Sequence, residues 1–137
     1  MLASKIILNH LINQENEIYP RLANLGKLTR QMLIEAFCSE GVLACCTGSN
    51  TDLLESSLFL LHFPFSPDAR ITKPEDACNP ALCDLVLSKK VLQLGLLLDG
   101  IYILDGKGAL STAHSIPDIQ QTAAACKQLA FKINHFA

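Results

Sequence analysis

The chain has 137 residues, half of them hydrophobic and 18% charged, and its 11 basic and 13 acidic side chains leave a formal charge of −2. That length suits one domain, residues 1–137, with a core large enough to stand without staples, and such hydrophobicity excludes a disordered chain. A near-neutral balance lacks the basic excess that neutralises phosphates, so nucleic acid is not an expected partner.

Residues 4–18 place apolar side chains at Ile7, Leu8, Leu11, Ile12 and Ile18, and residues 21–39 continue with Leu22, Leu25, Leu28, Met32, Leu33, Ala36 and Phe37. Steps of three and four predict two helices. Pro20 is the expected break between them, because proline lacks an N–H and clashes with the preceding turn. Gly41 is the expected terminator.

Val42 to Cys46 is uniformly small or apolar, which predicts a strand covered on both faces. The cluster Thr47-Gly48-Ser49-Asn50 predicts a turn, and Asp52 to Glu55 a lead-in or a short helical turn. Ser57 to Phe63 is the second strand, and Pro64 and Pro67 force the next stretch to be irregular. Asn79 as N-cap with Pro80 at the first helical position predicts a helix over 80–93. The run Val91 to Leu98 reads equally as its continuation or as a strand.

Ile101 to Leu104 has strand propensity. Asp105-Gly106 then predicts a tight hairpin, since both positions tolerate positive φ, with Ala109 to His114 as the returning strand. Ser115 and Asp118 mark the start of a last helix over 116–134. Its buried stripe would be Ile119, Ala123, Cys126, Leu129, Ala130 and Ile133. The expected architecture is therefore α+β: a small mixed or antiparallel sheet of about four to five strands flanked by helices, two of them N-terminal and one C-terminal.

No stretch supplies the ~20 apolar residues of a membrane span, and the N-terminus lacks the long apolar region of a secretory signal. The cysteine usage points to a reducing, cytoplasmic setting. The six cysteines fit that setting as unpaired, mostly buried thiols. Cys78 and Cys83 form a loose pair whose spacing also admits a disulfide or a metal clip. The adjacent Cys45 and Cys46 would point to opposite faces of a strand. No cofactor and no metal site is expected. A cysteine–histidine pair between Cys38 or Cys46 and His62 or His114 is defined only in space, and His62 reads better as a residue at the core edge. Gly106-Lys107-Gly108 lacks the lead-in of a phosphate-binding loop.

Phe59 and Phe63 share strand parity, as would Phe65 if the strand continued past Pro64, and ordinary core packing explains this. The alternative is an apolar ligand pocket formed by Phe59 and Phe63 with Tyr102 and His114. A chain so rich in leucine and poor in charge is expected to leave an apolar patch, and such patches are interaction sites. The leading expectation is a non-enzymatic interaction or regulatory domain, adaptor- or chaperone-like, that self-associates or binds a protein through that surface. A small-molecule sensor and a cysteine-dependent enzyme are the alternatives, the latter requiring a thiol of depressed pKa.

Overall fold

The computed structural model describes residues 2–47 and 56–136. The predicted turn at 48–50 and the lead-in at 52–55 lie outside the described residues. In chain order come α1 (Leu2–Asn13), α2 (Glu15–Cys38), β1 (Cys45–Cys46), β2 (Leu58–His62) and α3 (Pro74–Ala77). A π-helical turn (Leu87–Val91) leads into α4 (Leu92–Leu98), followed by β3 (Lys107–Ala109) and α5 (Ile116–Phe136). The result is a helix-rich α+β domain with a modest antiparallel sheet flanked by helices.

The sheet has three strands among the described residues, in the order β1-β2-β3, rather than the expected four or five. Cys45 pairs with His62 and Cys46 with Leu61 on one side of β2; Leu58, Phe59 and Leu60 pair with Ala109, Gly108 and Lys107 on the other. Residues 101–104 do not form the expected strand. Only Leu104 makes a bridge, to Lys107 across the Asp105-Gly106 turn. Both turn residues have positive φ, 51° and 75°, which is the geometry of a tight primed hairpin turn. The edge of β2 is instead taken by the chain from Gly106 onward, whose carbonyl accepts from the Leu61 N–H at 2.8 Å. Ile103 turns into the core. Backbone hydrogen bonding along β2 thus ends the returning strand at Ala109, well before the expected His114.

Pro20 does not break the helix. It lies inside α2, and the discontinuity falls at Gln14, whose φ of −122° and ψ of 18° separate α1 from α2. Proline there sits in the second turn on the exposed side, where the single lost N–H bond is offset by a long helix anchored at Leu25, Leu33 and Phe37. The helix expected from Pro80 also starts later. Asn79 Oδ1 accepts only from the Ala81 N–H, forming a local turn, whereas Asp84 Oδ1 accepts from Leu87 N–H at 2.9 Å and caps the helical stretch. The run to Leu98 continues as helix through one π turn. The last helix begins as predicted: Asp118 Oδ2 accepts from the Ser115 N–H at 2.8 Å and from its hydroxyl at 2.6 Å.

The alternation of β2 builds the core. Phe59, Leu61 and Phe63, with Cys46 from β1, meet Leu33 and Phe37 of α2, Leu92 and Leu96 of α4, and Cys126, Leu129 and Ala130 of α5. Phe63 lies edge-on to Phe37 with ring centroids 4.9 Å apart, a favoured aromatic geometry. The start of β2 is tied to α2 by the buried Arg30, which donates to the carbonyls of Ser56 (2.8 Å) and Leu58 (3.2 Å). Gly108 is required by packing, because a Cβ there would stand 2.1 Å from the ring of Phe59.

Candidate functional site

The four residues proposed from sequence as a ligand site do not converge. Phe59 and Phe63 are buried in the core, and Tyr102 is 68% exposed after α4. His114 lies before α5, with Nδ1 accepting from the Ser111 N–H at 3.0 Å. It lines an open groove of about 700 Å³ together with Glu17, Arg21 and Leu25 of α2 and Ile116 of α5. Neither phenylalanine borders that groove.

Two other features stand out. The first is apolar and exposed. Residues 86–104 present Val86, Val91, Leu94, Leu97, Leu98, Tyr102 and Leu104 to solvent, Leu98 at 87% and Leu94 at 64%. Their origin is local. α4 reads LQLGLLL and carries no ionisable side chain. Apart from Gln93 such a helix is apolar, yet it can turn only one side to the core. Leu92 and Leu96 are fully buried, which sends Leu94, Leu97 and Leu98 outward. α4 is held firmly: a Cβ on Gly95 would be 2.5 Å from Leu129 Cδ1 of α5. At its end the Ile101 N–H returns to the Leu96 carbonyl at 3.0 Å. The apolar face is therefore a fixed surface.

The second feature is polar and small. Between β2, the end of α3 and the π-helical turn, a cavity of about 80 Å³ is bordered by His62, Cys78, Ser88, Lys89, Asp105 and Lys107, with Leu60 and Leu85 as its apolar walls. His62 is 4% exposed. Its Nδ1 stands 3.3 Å from the Leu60 carbonyl, and a carbonyl only accepts, so Nδ1 carries the proton and Nε2 keeps the lone pair. Burial pushes the His62 pKa below its ordinary value, opposed in part by that backbone contact. The ring is thus held neutral. The polar lining of His62, Ser88, Lys89, Asp105 and Lys107 makes this a hole of the size of one or two waters.

Burial holds four of the thiols in the protonated form. Burial pushes Cys46 and Cys126 up to about 12, and raises Cys45 and Cys83 as well. That is the reverse of the depressed pKa of an activated nucleophile. All six thiols are free, and Cys83 Sγ donates to the Asp76 carbonyl at 3.9 Å. Among the described residues no three His, Cys, Asp or Glu side chains converge as a metal set. No described helix is long and apolar enough to cross a membrane.

No protein-family model, curated protein or solved structure matches the chain. The site therefore rests on its own chemistry. The sequence reading anticipated an apolar surface but placed it around Phe59 and Phe63. The signal that finds it is the leucine run itself: five leucines in seven helical residues exceed what one core-facing stripe can bury.

Proposed function

We propose that the protein is an interaction or regulatory domain whose binding surface is the outer face of α4, extended by Tyr102 and Leu104. The observation that carries this reading is the pair of faces on one short helix: Leu92 and Leu96 sealed in the core, Leu94 and Leu98 largely exposed. Apolar area presented by a rigid element is the usual mark of a recognition surface. The backbone of a helix docked at Gly95 has little freedom left to lose on binding, which favours association.

The test is site-specific photo-crosslinking in living cells. Leu98→p-benzoylphenylalanine should give discrete protein adducts, while the same group at the exposed, polar Gln121 of α5 should give none. Equal labelling at both positions, or none at Leu98, removes the reading.

A further inference from the structure

We propose that the cavity beside His62 is an oxidation site, with Cys78 as its nucleophile, His62 as its base and hydrogen peroxide as its substrate. The inference is independent of the α4 face.

The thiols divide by access. Burial holds Cys45, Cys46, Cys83 and Cys126 protonated, whereas Cys38 and Cys78 are exposed. Cys78 is set at the end of α3. Asp76 Oδ2 accepts from the Thr72 and Lys73 N–H groups, each at 2.9 Å, and closes the start of that turn. The Cys78 N–H then donates to the Glu75 carbonyl at 3.1 Å, so the backbone that carries the thiol is fixed. Cys78 borders the cavity. Cys38 does not; it ends α2 with its Sγ donating to the Ala44 carbonyl at 3.8 Å.

His62 supplies the second half of the site. It is 4% exposed and lies outside the core cluster that takes its neighbours Leu61 and Phe63. With Nδ1 committed to the Leu60 carbonyl, the lone pair of Nε2 has no partner among the described residues. No buried side-chain nitrogen or oxygen among them lacks a partner, so Nε2 opens onto space, and the cavity is the space that His62 borders. A neutral imidazole with a free lone pair can take the proton of a thiol in the same cavity. Lys89 and Lys107 on the border outnumber the one carboxylate, Asp105, and positive charge favours the thiolate.

Size names the oxidant. A hole of about 80 Å³ has room for one or two waters, and hydrogen peroxide is an oxidant on that scale that both donates and accepts hydrogen bonds. In the reaction the thiol proton passes to His62 Nε2. The sulfur electron pair attacks one peroxide oxygen, the S–O bond forms and the O–O bond breaks. The imidazolium returns its proton to the departing hydroxide, which leaves as water. Sulfur is oxidised by two electrons, the peroxide is reduced, and Cys78 becomes a sulfenic acid.

The test treats the reduced full chain with hydrogen peroxide at neutral pH. Unreacted thiol at Cys78 and Cys38 is alkylated with iodoacetamide at each time and counted by peptide mass spectrometry, and a parallel sample contains dimedone to trap sulfenic acid. Cys78 should be oxidised at least about tenfold faster than Cys38 and should carry the dimedone adduct. With cumene hydroperoxide, too large for the hole, that preference should vanish. His62→Gln should bring Cys78 to the rate of Cys38 and leave Cys38 unchanged. Lys107→Gln, at an exposed position that spares folding, should slow Cys78 about threefold and decides the matter if His62→Gln unfolds. Equal rates at the two thiols in wild type overturn the site. An unchanged Cys78 rate in both variants overturns the role of the cavity, and an equal preference with cumene hydroperoxide overturns hydrogen peroxide as its substrate.

Discussion

α1 and α4 are both short, leucine-rich helices with exposed apolar side chains, and they differ in what lies beneath. α1 exposes Leu2, Ile6, Ile7, Leu8 and Ile12 and buries no residue. α4 exposes Leu94, Leu97 and Leu98 while burying Leu92 and Leu96. Exposure alone therefore says little. Exposure on an element bolted to the core defines a shape that a partner can recognise, and only α4 supplies it. The two helices can be separated by their contribution to folding.

The largest effect belongs to the buried side of α4. Leu96→Ala removes a fully buried side chain from a cluster shared with α2, α5 and β2. The cavity should cost about 2–5 kcal/mol, read as a lower urea midpoint. An effect below 1 kcal/mol would mean that α4 is not anchored and would dissolve its contrast with α1. The anchor depends in turn on the sheet beneath. Gly108→Ala drives a methyl into the Phe59 ring, and overpacking of this kind should cost about 1–3 kcal/mol.

How much of this was legible in the chain follows the range of the interactions involved. α2 from Leu22 to Phe37, β2, the Asp105-Gly106 turn and the Ser115–Asp118 start of α5 are all set by local periodicity or local hydrogen bonds, and the sequence reading found each. The errors were nonlocal. Pro20 is tolerated because α2 is held from its other end. The strand at 101–104 is lost because β2 takes its hydrogen bonds from Gly106. The candidate ligand site failed to gather for a similar reason. Phe59 and Phe63 share strand parity, but parity does not say which face is the core, and the core claimed both. The cavity at His62 joins three separate stretches, near residues 62, 78–89 and 105–107, and no spacing in the chain announces it.

That cavity sharpens the contrast from the other side of the sheet. Because the folded state holds His62 neutral, the unfolded chain binds a proton more readily. Stability should therefore be complete at pH 7 and fall as pH drops through 6.5 towards the lowered native value. His62→Gln should flatten urea midpoints over that window. A smaller loss should appear only in stronger acid. Asp118 is held below 3.8 by the Ser115 hydroxyl and N–H, so its contribution is present above that pH and is lost as pH falls through the native value. Asp118→Asn should remove that acid sensitivity at the start of α5. If the midpoint of Asp118→Asn tracks wild type in acid, the carboxylate is not acting as a cap.

The smallest effect is expected from α1, and it is the one that closes the comparison. Ile7→Gln with Leu8→Gln changes two side chains that are each 59% exposed. Little apolar area leaves the core, so the urea midpoint should stay within about 0.5 kcal/mol of wild type. The same pair should leave the crosslinks at Leu98 unchanged if the α4 face is the binding surface. A loss of those crosslinks without a loss of folding would move the interface to α1, and the lesson drawn from the anchored helix would then be reversed. A loss of folding would mean that α1 is covered in solution by apolar surface, because two glutamines destabilise a helix only where leucine and isoleucine were buried.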